Sequence, residues 1–308
     1  AEGNQLCVGC HSSEQFDTPK HHHHGADLSQ ATNIQQTQGT QCIDCHMPGR
    51  LYMGNDYRRD HSFRIPRPDL SVAHNTPNAC NDCHTKESAD WAVAKVEQWF
   101  GSERPAHFSE ILSAAASQPN DSVEPLVSLL NDFSQPAIAR ATAASILAPN
   151  ISLPMVALAM TKATNDASAL LRSTSIRSLN GSANKIGPLV DRLNDPVRAV
   201  RIAAAEGLVD VQKNLIPDAL SDAFSRAHEE YQTSLQVNAD FPSGRMAMAL
   251  DQYRRGNLDR AAEEYLAVLK IDNGYNAARM NLAQLYYGQG KLSDTEKLYR
   301  TVIEHEPK

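Results

Sequence analysis

Residues 257–272 read NLDRAAEEYLAVLKID, with Ala and Tyr at helical spacing and a glycine, Gly256, just ahead of them. The positions of this stretch return at one fixed interval. Tyr265 has Tyr231 and Tyr299 at 34 residues to either side, and Leu269 has Leu235 and Ile303. Gly256 recurs at Gly290, and Tyr253 at Tyr287. Self-similarity at a fixed period marks a stack of like units, none of which can bury its apolar face alone.

Thirty-four residues is the tetratricopeptide period, two helices and a turn, and it assigns residues 226–308. Upstream, three segments align at about thirty residues: SQPAIARATAASIL (134–147), DASALLRSTSIRSL (166–179) and DPVRAVRIAAAEGL (195–208). In each, an arginine (Arg140, Arg172, Arg201) lies six residues after Ser134, Asp166 or Asp195, and a leucine (Leu147, Leu179, Leu208) follows seven later. This recurrence resembles HEAT-like helix pairs and assigns residues 89–225, with Asp and Arg laddering along an inner face. SADWAVAKVEQWFG (88–101) places Trp91, Val96 and Trp99 on one helical face with Gly101 as its stop. Stacked pairs of this kind form a concave groove and seldom do chemistry. His107, His228 and His305 in this part are expected at the surface.

Composition changes abruptly within HTKESADW (84–91). Residues 1–86 hold all six cysteines and nine of the twelve histidines, while Leu, Ile, Val and Phe are scarce there. Something other than side chains must fill that part. The net charge of −7 and the lack of a basic block exclude nucleic acid as the main partner. No apolar run is long enough to span a bilayer. The chain opens on AEGNQLC without a charged-then-apolar signal, so export implies removal of such a segment.

The cysteines fall in three pairs, CVGCH (7–11), CIDCH (42–46) and CNDCH (80–84). C-x-x-C-H is the attachment sequence for c-type haem: two thiols form thioethers to one porphyrin, and the histidine becomes its first axial ligand. A zinc ribbon needs four ligands per ion, whereas every pair here carries its own histidine. A redox dithiol sits on a βαβ pattern that this chain lacks, and disulfides are the remaining alternative. The expected attachment residues are Cys7, Cys10, Cys42, Cys45, Cys80 and Cys83, with His11, His46 and His84 as proximal ligands. Three haems would supply the missing core.

Six further histidines precede residue 87: His21 to His24, His61 and His74. This supply makes bis-histidine ligation of all three irons the default, with Met53 and Met47 as weaker alternatives. KHHHHGADLS (20–29) is internal, and reads as a bank of ligands between the first two motifs, not as a tag. Arg58, Arg59, Arg64 and Arg67 are candidates for pairing with haem propionates. RIPRPDLS (64–71) reads as an extended strap because of its two prolines, and Tyr52 and Tyr57 as haem-packing aromatics.

Residues 42–100 carry the words CHMP, YM, RRDHSF, IPRPDLS, TPNAC and WA in order, preceded by GNQLCVGCH and FDTPKHHHH. This region resembles the C-terminal haem region of a family of large bacterial multihaem cytochromes c with tetratricopeptide repeats. The resemblance implies further haem motifs upstream in longer members. It also implies recurrence of histidines at His21, His22, His24 and His61, with other residues tolerated at His74. Distal ligands are therefore expected first among His24, His61 and His22, then His74 and His21, and His22 with His24 are expected to reach two neighbouring irons.

The fold class expected is mainly α: an irregular haem-packed multihaem cytochrome c module over residues 1–88, followed by an α-solenoid, HEAT-like then tetratricopeptide. The function expected is electron transfer through three bis-histidine haems in the periplasm or outside the cell. Redox partner proteins or neighbouring cytochrome subunits would dock on the helical repeats, and self-assembly into an oligomer or filament is a variant. The alternative is a haem-containing reductase subunit acting on a small nitrogen or sulfur compound through one open iron.

Overall fold

The computed structural model describes residues 3–25 and 39–306. It is mainly helical and divides into two compact units, residues 1–106 and 107–308. Residues 26–29 of the histidine-bearing stretch lie outside the described residues. Among the described residues, no helix is long and apolar enough to cross a membrane.

The first unit is built from short pieces. Its helices are α1 (Gln5–Val8), α2 (Ser13–Phe16), α3 (Pro19–His22), α4 (Cys42–His46), α5 (Pro68–His74), α6 (Ala79–Cys83) and α7 (Ala89–Phe100). Between α4 and α5 stands an antiparallel hairpin, β1 (Gly49–Tyr52) and β2 (Asp56–Arg59), in register Gly49↔Arg59 and Leu51↔Tyr57. Met53 and Gly54 turn it with positive φ at both residues, the backbone of a hairpin turn whose twist matches its strands. The sequence reading placed no strand here. RIPRPDLS is corrected in its second half: Pro68 opens α5 as its first residue, where proline's missing N–H costs nothing and its fixed φ is already helical. Ser88 caps α7 by accepting from the Trp91 N–H, and Gly101 ends it at φ 83°. Among the described residues of this unit, Ala92 and Pro68 are the buried apolar side chains. Leu51, Met53, Phe63 and Ile65 are all more than 60% exposed.

The second unit has an ordinary side-chain core. Helices α8 (Phe108–Ser117), α9 (Val123–Asn131), α10 (Ala137–Leu147), α11 (Pro154–Ala163), α12 (Ala169–Ser178), α13 (Ile186–Val190), α14 (Arg198–Gly207) and α15 (Ser221–Val237) come first. α10 packs on α12, α12 on α14 and α14 on α15, with α9 and α11 alongside. One apolar cluster runs through them, from Ala115 to Tyr231. Leu147, Leu179 and Leu208, the repeated leucines, are fully buried in it.

The repeated arginines link each repeat to the next. Arg140 donates to Asp166 at 2.7 Å, Arg172 donates through Nε and Nη2 to both oxygens of Asp195 at 2.8 Å, and Arg201 meets Glu230 at 2.5 Å. Arg172 and Arg201 also donate to carbonyls six residues back, at Asp166 and Asp195. The six-residue offset seen in sequence is thus the reach of one arginine to its own repeat's first turn. Asp166 and Asp195 in addition accept the N–H two residues on, from Ser168 and Val197. The Asp166 and Asp195 rungs are buried inside the stack, so the ladder does not line an inner surface. Burial alone would raise the Asp195 carboxyl, but the Arg172 bonds outweigh it and hold it below its ordinary value.

The tetratricopeptide part comprises α16 (Pro242–Arg254), α17 (Leu258–Ile271), α18 (Asn276–Gly288) and α19 (Leu292–His305) around a second cluster from Ala249 to Leu285. Its two turns are copies. Gly256 and Gly290 sit at φ 76° and 74°. The bonds Leu258 N–H to Gly256 O and Asn257 N–H to Gln252 O recur 34 residues later, from Leu292 to Gly290 and from Lys291 to Tyr286. Arg245 and Arg279 repeat likewise, each donating to the carbonyl six residues back, Ala239 and Asn273.

Of the three histidines expected at the surface, His305 is exposed. His107 instead caps α8, its Nδ1 accepting from the Ser109 N–H. His228 is half-buried, with Arg255 donating to its Nε2 at 3.0 Å, and burial followed by the Arg255 charge lowers its pKa.

Candidate functional site

Each cysteine motif makes a single helical turn. In the first, the N–H groups of Cys10 and His11 both donate to the Cys7 carbonyl. The second is α4 itself, and in the third the His84 N–H donates to the Cys80 carbonyl at 2.9 Å. On such a turn residues i, i+3 and i+4 share a face, which is the spacing of Cys, Cys and His in every motif. Two thiols and one imidazole therefore present together at three places. All six cysteines are free thiols.

Four of the six thiols are shifted away from the thiolate form. A reactive dithiol needs a depressed pKa. Burial instead pushes Cys45 up to about 11, helped by Cys80, Asp44 and Cys83, and burial likewise raises Cys42, Cys80 and Cys83. Among the described residues, no three His, Cys, Asp or Glu side chains converge as a metal site.

Polar contacts draw the motifs together. Asn4 donates to Asp17 Oδ1 and the Thr40 carbonyl, and accepts from the Cys42 N–H at 2.9 Å, which ties the first motif's segment to the second. Arg59 donates to the Ile43 and Met47 carbonyls and to Asp44 at 3.3 Å, satisfying the end of α4. The other three arginines expected to meet propionates also hold protein partners: Arg58 with Asp56, Arg64 with Asp60 and Ser62, Arg67 with Asp69 and the Pro105 carbonyl. Tyr52 lies under the Arg58 guanidinium at 4.6 Å, and Tyr57 lies across Gly49. Met53 stands 83% exposed at the hairpin turn.

The histidines differ in which ring nitrogen is engaged. A carbonyl can only accept, so a ring nitrogen bonded to one carries a proton, and in the neutral ring the other nitrogen then holds the lone pair. His46 Nδ1 bonds the Arg64 carbonyl at 2.7 Å, His61 Nδ1 the Arg59 carbonyl at 2.8 Å, and His24 Nδ1 the His22 carbonyl at 2.5 Å. Metal-ligating histidines are oriented in this way, with Nε2 left for the metal. His22 is set oppositely, its Nδ1 accepting from the His24 N–H. His23 takes a left-handed conformation at φ 53° and stacks on Trp99, ring centroids 4.1 Å apart.

Four imidazoles stand in two pairs. His21 and His46 have ring centroids 6.1 Å apart, and so do His24 and His84. Trp91 lies 4.8 Å from His84. Gly39, at φ 83°, packs on the His24 ring so closely that a Cβ there would come within 2.6 Å of it. Paired thiols and a histidine share a face at each motif, a carbonyl orients the motif histidine at His46, and the described residues of the unit bury few apolar side chains; these residues would suit a haem c. The pairing of His21 and the close approach of Gly39 carry no signature in the sequence; only the fold brings them beside His46 and His24.

Residues 252–308 match the tetratricopeptide repeat family. That match runs from the last turn of α16 through α17, α18 and α19. No curated protein and no solved structure gives a match to the chain.

Proposed function

We propose that the cysteine-bearing first unit is a trihaem module of the multihaem cytochrome c kind, that it transfers electrons, and that the helical repeats dock its redox partners or neighbouring subunits. One observation carries this reading. Three one-turn Cys-x-x-Cys-His helices occupy a unit whose described residues bury almost no apolar side chain. Bound haem c supplies an iron that alternates between ferric and ferrous states. The chain supplies two thiols and a proximal imidazole for each, at Cys7, Cys10 and His11, at Cys42, Cys45 and His46, and at Cys80, Cys83 and His84. The carbonyl of Arg64 fixes His46 with Nε2 as its ligating atom, and Arg59 pins the end of the helix that carries it. His24, His61, His22, His74 and His21 form the pool for the remaining axial positions, and a second strong ligand at each iron makes a carrier rather than a catalyst. Thioether attachment takes place outside the cytoplasm, so the module belongs in the periplasm or beyond the cell. Tetratricopeptide stacks commonly bind other proteins, which supports the docking role of α16–α19.

The test is to produce the chain in a host that attaches c-type haem during export. Intact mass should show three covalent haems, and ferric and ferrous spectra should show low-spin iron alone. A chain that takes up no covalent haem sinks the proposal. A high-spin fraction that binds nitrite, hydroxylamine or cyanide would instead favour the reductase reading.

A further inference from the structure

Four consecutive histidines on a regular helix could not serve separate sites well, because His21 and His24, three apart, would lie on one face. The chain breaks that pattern. Helix α3 ends at His22, and His23 turns into the left-handed region with its N–H on the Pro19 carbonyl. After this turn His21 lies beside the ring of the second motif's His46, and His24 beside the ring of the third motif's His84. In each pair one partner belongs to a cysteine motif and the other to the tract.

The separation has chemical meaning. Two metal–imidazole bonds of about 2 Å and two ring radii of about 1.1 Å, from ring bonds near 1.33 Å, set the centroids about 6 Å apart. Both pairs stand at 6.1 Å. His22 and His24 are also 6.3 Å apart, but neither belongs to a cysteine motif, and the His22 Nδ1 is turned to the His24 N–H within the tract itself. His23 stacks on Trp99 and pairs with no motif histidine. His24 has its Nδ1 on a carbonyl and its ring seated against Gly39.

Resting on the trihaem reading, we propose that His21 and His46 are the axial ligands of the second motif's haem and His24 and His84 those of the third. One tract thus clamps two haems, while His22 and His23 hold the turn and ligate nothing. This assigns His21 a ligand role ahead of His22, and it makes the left-handed His23 the reason the tract reaches two irons.

The full chain, loaded with haem in an exporting host, tests the assignment by electron paramagnetic resonance and visible spectra of the ferric protein. In His21→Ala and in His24→Ala, about one third of the low-spin signal should become high-spin, since one of three haems loses a ligand. The double variant should lose about two thirds, and added imidazole should restore each. His22→Ala and His23→Ala should stay low-spin. Should an alanine variant fail to accumulate, His21→Met, which keeps a weaker ligand, should show a methionine–iron charge-transfer band at one haem. Haem-loaded His21→Ala or His24→Ala that remains wholly low-spin overturns the pairing, as does conversion by His22→Ala. A wild-type chain without covalent haem overturns the trihaem reading itself, which the mass measurement records separately.

Discussion

Arg172 illustrates how much one side chain holds in the second unit. Its Nε and Nη2 grip both oxygens of Asp195, and its Nη1 donates to the Asp166 and Ala167 carbonyls. The pair is almost sealed, the arginine side chain 10% and the aspartate 1% exposed. Removing the arginine strands a buried carboxylate, and such losses run to about 3–5 kcal/mol. Arg201→Ala, whose pair with Glu230 is about a quarter exposed, should cost closer to 1 kcal/mol. Chemical denaturation of the two variants at neutral pH measures the contrast, and equal losses would show that burial does not govern the ladder. The acid limb carries a second signature. Because the folded pKa of Asp195 is depressed, its stabilisation is present above the unfolded value of about 3.9 and is lost as pH falls through the folded one. Arg172→Ala should therefore show a weaker fall in stability below pH 4 than the parent chain.

At the scale of elements, the two tetratricopeptide turns offer a matched pair. Gly256 and Gly290 share a positive φ, and a Cβ at either would meet nothing within 4 Å. Only backbone conformation then opposes a side chain, and the left-handed region costs an L-residue about 1–2 kcal/mol. Gly256→Ala and Gly290→Ala should each lose that amount in denaturant unfolding, and the Asn variants less, because asparagine tolerates the region better. A large difference between the two sites would mean that the turns are not equivalent. These turns explain why the 34-residue period was legible: the same backbone bonds demand the same glycine twice. The Arg–Asp offset was legible for the same reason, since the arginine reaches a fixed distance back along its own repeat. Local irregularity was harder to read. Pro68 looked like a helix breaker because proline is forbidden inside helices, yet the first position tolerates it. The hairpin at 49–59 escaped because its four-residue strands are too short for alternation to stand out. Cysteine spacing gave three one-turn Cys-x-x-Cys-His segments, but the contact of His21 with His46 is long-range, and nothing in the order of residues ranks His21 above His22 as the neighbour of that ring.

The two units differ in what can hold them together, and that difference is testable on the whole chain. Residues 107–308 bury two apolar clusters from their own side chains, reinforced by the arginine ladder. The first unit has short helices joined by Asn4, Arg59 and imidazole contacts, while Leu51, Met53, Phe63 and Ile65 are exposed and its tryptophans only half-buried. Helices of four to twelve residues are marginal in water without packing, and buried apolar area is what ordinarily offsets the entropy of ordering them. If the first unit is the trihaem module proposed above, replacing all six cysteines by alanine removes haem attachment and leaves the second unit's core untouched. Hydrogen exchange on this variant should then find α8–α19 protected as in the haem-loaded chain. The amides of α4, α6 and α7 should exchange within the first time points. The haem-loaded chain should protect those three helices, and the change should stop at the unit boundary near residue 106. Persistent protection of α7 in the cysteine-free chain would mean that Ala92 and its neighbours suffice as a core, and the argument that three haems stand in for side chains would fail.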